Sequence, residues 1–277
     1  MISKLLVIAG AGSYPRLVVE GAKRAGVGTV DVLAVRGSCV RATRKAADHA
    51  FFFVAGECDK AVEWAGRAGY DGVILAGQVS PMSLFRGKFD EIVKGWLRAL
   101  PVKNAHTIFG KLVHELESRG AKVLPASSYM DECLPGVGRL TDRGLTDEEA
   151  DDVRRGVQVA ADVGRHDVGQ TVLVKSGMVL AVEAFEGTNA AIRRAGKLGK
   201  GSVLVKAARE GHDWRFDIPV VGLTTLKTMK RAGVTALAFQ AGRLILLDRK
   251  EVIAFANRHG MAIVGIDSGL PPAPARP

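Results

Sequence analysis

The sequence predicts an α/β protein in two parts, the first built on a parallel sheet and the second on a mixed α/β arrangement. Short apolar runs alternate with helical patterns through the first half, and a turn-forming stretch without hydrophobic periodicity interrupts them near the middle. A second set of strand and helix signals follows that stretch. Short apolar strands separated by helices are typical of a parallel sheet covered on both faces.

The first half supplies its strands and helices in alternation. Lys4–Ala9 is an apolar run that ends at Gly10, and Ser13-Tyr14-Pro15 opens a helical pattern through Ala25. Further strands are predicted at Thr29–Val35, Phe51–Val54 and Gly72–Ala76, helices around Phe89–Ala99 and Asn104–Arg119, and a short strand at Lys122–Leu124.

The middle of the chain is predicted to be a linker. Pro135-Gly136-Val137-Gly138-Arg139 is rich in turn formers and lacks a hydrophobic period. Thr146 then begins a helix, because Glu149 stands three residues on and can complete a capping box. The predicted organisation is an N-terminal domain over residues 1–130, a linker over 131–146 and a C-terminal domain over 147–277.

The second half opens with a predicted hairpin and continues as α/β. Gln170–Lys175 and Met178–Phe185 are strand-like runs around the turn Ser176-Gly177. The remaining signals are a helix at Gly187–Leu198, a strand at Ser202–Ala207, a helix at Gly222–Ala232, strands at Thr235–Phe239 and Arg243–Leu247, a helix at Lys250–His259 and a strand at Ala262–Ile266.

Composition restricts the possible partners. The chain has 277 residues, 47% of them hydrophobic, and 39 Lys and Arg against 29 Asp and Glu give a formal charge of +10. Such a charge attracts anions, whether nucleic acid, an anionic membrane leaflet or a phosphorylated substrate. Without nucleic-acid-binding motifs or interleaved aromatic residues, it does not argue for nucleic acid.

Cysteine usage and hydropathy indicate the compartment. The 3 cysteines are scattered and form no CxxC pair, which favours a reducing compartment and excludes a thiolate zinc site. The apolar run before Gly10 is too short for a signal peptide, and no apolar stretch approaches the ~20 residues of a membrane span. We expect a cytoplasmic protein whose contact with membrane is peripheral.

A glycine turn directly follows the first predicted strand. Amides of Gly10, Ala11, Gly12 and Ser13 at a strand-to-helix turn can bind an anion, helped by the helix dipole. Pro15 stands where a dinucleotide-binding pattern has its third glycine, and a tight turn without ligand is the alternative. An NADP-binding oxidoreductase is a second alternative, because Arg36 could bind a 2′-phosphate.

Two further loops carry polar groups at strand ends. Gly77-Gln78 follows the fourth strand, at the sheet edge where the first glycine turn also lies, or it is an ordinary loop. Glu186-Gly187-Thr188-Asn189 stands at a strand-to-helix corner and could bind phosphate, although simple helix capping by Thr188 explains it nearly as well.

The richest cluster of charged residues runs from the predicted strand end at Lys206 through Arg215 and Asp217 to Thr224. Hydrolysis of a diphosphate requires a hard cation held by carboxylate and phosphate oxygens, and positive groups over the developing charge. Asp217 can bind the metal or activate water, while Lys206 and Arg215 can stabilise phosphate oxygens. The alternative is an Asp–Arg pair on the surface.

In the right order along nearly the whole chain, these motifs resemble the UDP-2,3-diacylglucosamine diphosphatases of the LpxI family. The motifs are Leu6–Pro15, Ala76–Ser80, Asp167–Gln170, Val179–Thr188, Lys206 with Asp213–Pro219, and Ala241–Arg243 with Asp248-Arg249. The resemblance implies a Rossmann-like N-terminal domain and a C-terminal α/β catalytic domain, with the lipid sugar between them.

The resemblance also implies the chemistry. Such enzymes use Mg²⁺ (Mn²⁺ is the alternative) and direct water at the α-phosphate of a UDP-linked diacylated glucosamine, releasing UMP and lipid X in lipid A biosynthesis. The catalytic Asp, also the metal ligand, falls on Asp217, with Lys206 and Arg215 beside it. We further expect a homodimer and transient contact with the inner-membrane leaflet.

Four positions depart from the family pattern. Ala11 replaces a glycine, Asn189 replaces an Asp that could bind metal, and Glu210 and His212 stand where Pro and Gln are frequent. A third alternative therefore remains, a non-catalytic lipid- or nucleotide-binding member of the family.

Overall fold

The computed structural model describes residues 2–78, 91–100, 102, 104–208, 211 and 213–267. The chain divides into two units. The first comprises Met1–Asp131 together with Asp213–Asp217, and the second Glu132–His212 together with Ile218–Ala273.

The first unit is built on a parallel sheet of four strands in the order β3-β2-β1-β4. The strands are β1 Lys4–Ala9, β2 Thr29–Val35, β3 Ala50–Phe53 and β4 Gly72–Ala76, and the helices described in this unit are Tyr14–Arg24, Arg41–Ala46, Cys58–Arg67, Glu91–Ala99 and Ala105–Ser118. β1 pairs in parallel with both β2 and β4, which explains why its side chains are almost all buried. Leu6, Leu33 and Val73 pack with Val62 and Leu116 to form the core on one face of the sheet.

The second unit contains a mixed sheet of six strands in the order β5-β12-β10-β8-β6-β7. The strands are β5 Gly138–Arg139, β6 Thr171–Lys175, β7 Met178–Val182, β8 Val203–Lys206, β10 Ala236–Gln240 and β12 Ala262–Ile266, with β9 Val220–Val221 and β11 Ile245–Leu246 paired separately. Its helices are Asp147–Arg165, Thr188–Leu198, Leu223–Ala232 and Arg249–Arg258. β8, β10 and β12 are parallel, while β5, β6 and β7 pair antiparallel.

The structure confirms the α/β fold class, the hairpin and the capping box. β6 and β7 pair around Ser176-Gly177, and Thr146 and Glu149 exchange both capping hydrogen bonds. The predicted strand at Lys122–Leu124 is wrong, because the chain makes only an isolated bridge there, between Val73 and Val123.

Several elements lie where the sequence predicted none. β5 lies inside the stretch predicted as a linker and pairs with β12, where Gly136 also approaches closely. The helices Arg41–Ala46 and Cys58–Arg67 were not expected. Within the residues that the structure describes, no helix has the length and apolarity needed to cross a membrane.

Candidate functional site

In the first unit the two predicted glycine loops contact each other. β1 and β4 are adjacent and parallel, so their carboxyl ends meet at one edge of the sheet. The Ala11 amide donates to the Gln78 carbonyl at 2.9 Å, and the Gln78 amide donates to the Ala11 carbonyl at 3.0 Å. The loops therefore form one backbone-bonded corner.

This corner requires glycine at two positions. A Cβ at Gly10 would lie 2.7 Å from the Gln78 carbonyl oxygen. Gly77 has a φ of +93°, and its Cβ would lie 2.8 Å from the Ala11 carbonyl oxygen. A side chain at either position would push the loops apart.

Part of the corner's hydrogen-bonding capacity is used internally. The Gly10 amide donates to the Ala76 carbonyl at 2.9 Å, and the Ala11 amide is bonded to Gln78. An anion bound here would have to be held by amides beyond Ala11, at the start of the helix Tyr14–Arg24.

An apolar cavity of about 300 Å³ opens beside this corner. Gly10, Gly77 and Gln78 contribute polar backbone to its lining, and Lys111, which is ion-paired with Glu115, is also part of the lining. Its apolar walls are Ile8, Val35, Phe53, Leu75, Val93, Trp96, Leu97, Leu100, Ile108, Phe109, Leu112 and Phe216. A cavity of this size and composition suits a hydrocarbon chain attached to a polar group.

The predicted catalytic segment Asp213–Asp217 belongs to the first unit. Phe216 lines the apolar cavity and packs against Phe109 with ring centroids 6.1 Å apart. Asp217 follows it, is partly buried, and donates its amide hydrogen to the Asp213 carbonyl at 2.9 Å. The structure therefore places Asp217 one residue from the cavity wall.

Two carboxylates hold the Arg215 guanidinium. Its Nη1 lies 2.8 Å from both carboxylate oxygens of Glu117, and its Nη2 donates to Asp213 Oδ2 at 2.6 Å. These hydrogen bonds, Asp213 first, raise the pKa of Arg215, while the guanidinium lowers the pKa of the Asp213 carboxyl. Arg215 is thus fixed in place by its own unit.

Lys206, at the end of β8, forms a buried polar cluster in the second unit. The residue is 5% exposed, and its Nζ donates to Thr171 Oγ1 at 3.0 Å and to Thr188 Oγ1 at 2.9 Å. Glu183 Oε2 lies 3.6 Å from the same nitrogen, and the Thr188 hydroxyl donates to Glu183 Oε1 at 2.8 Å. The cluster joins the start of β6, the end of β8 and the start of the helix Thr188–Leu198.

Electrostatics in this cluster favour the ionised form of Glu183. Burial alone would raise the pKa of Glu183, but Lys206 and the hydroxyls of Thr171 and Thr188 lower it below its ordinary value. The carboxylate is therefore ionised at neutral pH, and the ammonium of Lys206 lies beside it.

Asn189 Oδ1 is buried and has no hydrogen-bond partner, whereas Glu183 Oε2 has no close hydrogen bond but is paired with the Lys206 ammonium at 3.6 Å. A buried acceptor left unsatisfied costs free energy, so Asn189 marks a place where a ligand or ion could supply the missing contact. Gly187, with a φ of +81°, makes the turn that leads into the helix carrying Asn189.

Sequence reasoning gave no role in the site to several residues around Lys206. Glu183 and Thr171 contact its charge directly, Gln240 Oε1 accepts from the Ala208 amide at 2.8 Å, and Arg243 is 5% exposed with its pKa lowered by burial. A lysine at the end of a buried strand requires a counter-charge. This requirement is the signal that could have identified Glu183, which directly follows the hairpin strand β7, as the partner of Lys206.

The other predicted residues are dispersed. Glu186 is exposed and bonded to Arg194 at 2.5 Å, and Thr224 is exposed on the helix Leu223–Ala232. Lys206 belongs to the second unit, whereas Asp217 and Arg215 belong to the first. Glu210, His212 and the loop after Gln78 lie outside the described residues.

Metal ligands are sparse in the part of the chain that the structure describes: no three His, Cys, Asp or Glu side chains there form a group that could hold an ion. The predicted positions include one carboxylate in the first unit, Asp217, and one amide oxygen in the second, Asn189 Oδ1. A single carboxylate such as Asp217 fits an ion such as Mg²⁺, which is held by one or two protein oxygens and otherwise by substrate phosphates and water.

Fold and sites together define a two-unit α/β protein with an apolar cavity beside a glycine corner in one unit and a buried charged cluster in the other. Residues 4–133 match the LpxI N-terminal domain, and residues 136–264 match the LpxI C-terminal domain. The chain is 31% identical over 287 aligned positions, covering 95% of this chain and 98% of the other, to a protein of Caulobacter vibrioides named UDP-2,3-diacylglucosamine pyrophosphatase LpxI. The chain belongs to the LpxI family, and it is an enzyme of that family.

Solved structures resemble the chain only weakly. The biotin carboxylase domain of a thermophilic 2-oxoglutarate carboxylase bound to ADP is 16% identical with a TM-score of 0.28, over 62% of this chain and 35% of that one. The biotin carboxylase subunit of a pyruvate carboxylase is 15% identical with a TM-score of 0.27, over 67% of this chain and 39% of that one.

Proposed function

We propose that this enzyme hydrolyses the diphosphate of a UDP-linked, doubly acylated glucosamine, a step of lipid A biosynthesis. The products are UMP and 2,3-diacylglucosamine 1-phosphate, the compound called lipid X. Family membership over both domains and the name of the Caulobacter vibrioides relative support this substrate.

The observation that carries the proposal is the apolar cavity of the first unit. Its walls are aliphatic and aromatic, and the glycine corner supplies backbone polar groups to its lining. An acyl chain can fill the walls while the polar part of the same molecule lies at the corner. A water-soluble nucleotide cofactor would not require such a cavity.

Asp217 is the proposed catalytic carboxylate. It directly follows Phe216, a residue of the cavity wall, and its backbone is fixed by the hydrogen bond to Asp213. A carboxylate in this position can accept a proton from the attacking water. The water oxygen forms a bond to the α-phosphorus, the bond from that phosphorus to the bridging oxygen breaks, and the bridging oxygen leaves with the sugar phosphate.

Charge on the transferred group is stabilised by cations. Lys206 is ordered by Thr171, Thr188 and Glu183, so its ammonium is oriented before substrate binds. Arg215 is already held by Asp213 and Glu117, so we assign it chiefly to positioning the segment that carries Asp217. Gly187, Thr188 and Asn189 are the proposed substrate contacts of the second unit, with Glu186 and Thr224 at their exposed margin.

We further propose Mg²⁺, with Mn²⁺ as substitute, as the cofactor, held by Asp217 and by substrate phosphate. Such an ion supplies Lewis-acid stabilisation of phosphoryl oxygens. The proposed setting is the cytoplasm, with a homodimer as the assembly and peripheral contact with the inner membrane.

Turnover in heavy-oxygen water tests the function. Purified protein is incubated with the UDP lipid and Mg²⁺, and label is expected in UMP, because the α-phosphorus is attacked. Asp217→Asn is expected to lower kcat at least about a hundredfold, and Asp151→Asn, an exposed position on the helix Asp147–Arg165, is the matched control.

The outcomes separate the alternatives. Full activity of Asp217→Asn contradicts the role of Asp217, and label in lipid X contradicts the site of attack. Calorimetric binding of NADPH but not UMP would favour an oxidoreductase. Tight binding of lipid X without turnover at any divalent ion would favour a non-catalytic member of the family, with Asn189 as the first position to restore to Asp.

A further inference from the structure

We propose that the first unit docks on an anionic lipid bilayer through one edge of its sheet. This surface, the β3 edge, consists of strand β3 and the chain around it and is formed by Arg36, Val40, Arg41, Arg44, Lys45, Phe51, Phe52 and Val54. The inference rests on the proposed function in one respect, since a substrate with two acyl chains resides in a bilayer.

The β3 edge exposes large apolar side chains. β3 is the terminal strand in the order β3-β2-β1-β4. Phe51 is 40% exposed, Phe52 46% and Val54 48%, and Val40 nearby is 40% exposed. Scattered exposed hydrophobic residues are ordinary, but a group of them on one sheet edge marks an interaction surface.

The same edge is basic. Residues 36–54 contain four Lys and Arg and one acidic residue, Asp48. Asp48 is neutralised by Lys23, whose Nζ lies 2.6 Å from its carboxylate. The segment therefore presents an excess of positive charge to any surface that it meets.

Cations and aromatic rings are interleaved on this edge. The guanidinium carbons of Arg36 and Arg44 lie 5.8 and 5.5 Å from the centroid of the Phe52 ring. An apolar tip flanked by long cationic side chains matches the boundary between headgroups and acyl chains, where rings enter the apolar layer and cations stay with phosphates. An anionic leaflet attracts each Lys or Arg that lies near its surface.

The β3 edge is continuous with the apolar cavity. Phe53 lines the cavity, whereas its neighbours Phe52 and Val54 in the chain are exposed. Val35, at the end of β2, lines both the apolar cavity and a smaller cavity shared with Arg36, Arg44 and Phe52. An acyl chain leaving a bilayer at this edge would therefore be next to the cavity.

Other occupants fit less well. A second copy of the chain would bring one positive edge against another, at an electrostatic cost. Nucleic acid would account for the arginines and Phe52, but not for the exposed aliphatic Val40 and Val54 or for the adjoining apolar cavity.

Vesicle co-sedimentation tests the proposal with the full chain. Vesicles of phosphatidylcholine alone are compared with vesicles containing phosphatidylglycerol, without substrate or metal. We expect binding only to the anionic vesicles. Arg41→Glu with Lys45→Glu is expected to weaken it at least about tenfold, and Phe52→Ser is expected to weaken it at both low and high salt.

Arg154→Glu with Arg165→Glu is the matched control. Both arginines are exposed on the second unit, at 72% and 69%, and the double change alters net charge by the same amount. The binding of this control to anionic vesicles is expected to stay within about twofold of the parent, because neither arginine belongs to the β3 edge. Equal weakening by both pairs overturns the proposal, since charge anywhere would then suffice.

Further outcomes also decide the question. Equal binding to vesicles with and without phosphatidylglycerol would overturn the anionic bilayer as the partner of the β3 edge. So would concentration-dependent self-association that Phe52→Ser abolishes. Tighter binding to single-stranded nucleic acid than to vesicles would overturn it as well. If the parent protein binds anionic vesicles but does not hydrolyse the UDP lipid, the result contradicts the proposed function and leaves the docking surface intact. Hydrolysis of micellar substrate by Arg41→Glu with Lys45→Glu is expected to equal that of the parent, because neither residue lines the cavity.

Discussion

The glycine corner of the first unit and the Lys206 cluster of the second are built by opposite means. Backbone hydrogen bonds between Ala11 and Gln78 hold the corner, and glycines are needed only because nothing larger fits. The cluster depends on side chains, with a buried ammonium among two hydroxyls and a carboxylate. A backbone site is sensitive to shape, and a side-chain site is sensitive to charge.

Because of this difference, we expect the two units to bind different parts of the substrate. The corner adjoins an apolar cavity and the segment of Asp217, so it suits the lipid and the attacking group. The cluster offers a fixed positive charge, so it suits phosphate oxygens. Breaking one region should therefore leave a different signature from breaking the other.

Removing the charge of Lys206 should have the largest effect. Lys206→Met leaves the buried Glu183 carboxylate without its cation, and we expect a loss of about 3–5 kcal/mol in the free energy of unfolding. Adding Glu183→Gln removes the uncompensated charge and should restore most of that stability without restoring turnover. Denaturant titration measures the stability of each variant, and UMP release measures its turnover. Equal stabilities of the single and double variants would contradict a coupled pair.

The sequence predicted the corner better than the cluster, for a physical reason. Gly10 and Gly77 end apolar runs, and the ends of adjacent parallel strands must meet, so local pattern and topology together bring them close. The cluster depends on β6 lying antiparallel beside β8, a long-range pairing that no local pattern specifies. The sequence therefore identified Lys206 and the segment that begins at Glu183 as separate candidates, and it predicted neither their pairing nor the contact with Thr171.

The secondary structure was likewise predicted well where a local pattern is sufficient and poorly where long-range pairing is required. Strands with continuous apolar runs, such as β1, β2 and β12, were located closely because burial on both faces leaves a plain signal. The short strands β5 and β9 carry two residues each and exist only through their partners. Lys206 and Asp217, which the sequence treated as parts of one segment, belong to two different units.

Glu149 should show the next largest effect, and a pH dependence. Burial would raise the pKa of Glu149, but Arg143, Thr235 and the Thr146 amide lower it to about 2. A carboxyl group with a depressed folded-state pKa stabilises fully above its unfolded value, near pH 4.5, and loses that contribution as the pH falls toward 2. Glu149→Gln should therefore cost up to about 3 kcal/mol at pH 7.

Urea unfolding across pH measures this dependence. The stability difference between parent and Glu149→Gln should be constant above about pH 5 and should shrink as the pH falls toward the folded-state pKa. Glu148→Gln is the control, because Glu148 lies on the same helix and accepts a hydrogen bond from the exposed Ser176 hydroxyl. A pH-independent difference would show that the lost interactions are steric.

Adding a methyl group at the glycine corner should have an intermediate effect on stability, and the cause should be a steric clash alone. Gly10→Ala places Cβ against the Gln78 carbonyl, and we expect a loss of about 1–3 kcal/mol in unfolding free energy. Gly95→Ala is the matched control, because its Cβ meets nothing within 4 Å in the helix Glu91–Ala99, and it should stabilise by up to about 1 kcal/mol. Equal effects at both positions would contradict the close approach of the loops.

Filling the apolar cavity should have the smallest effect, which we expect only in the KM for substrates with long acyl chains. Leu112→Trp occupies space lined by Ile108 and Trp96, so a long acyl chain loses buried methylenes at about 0.8 kcal/mol each. Two displaced methylenes should raise KM for the long-chain substrate about tenfold, while a short-chain analogue keeps its KM and both keep kcat. His114→Trp, on the exposed face of the same helix, should change neither. If long and short chains were affected alike, the cavity would hold another part of the substrate, and the separation of lipid binding from phosphate binding between the two units would fail with it.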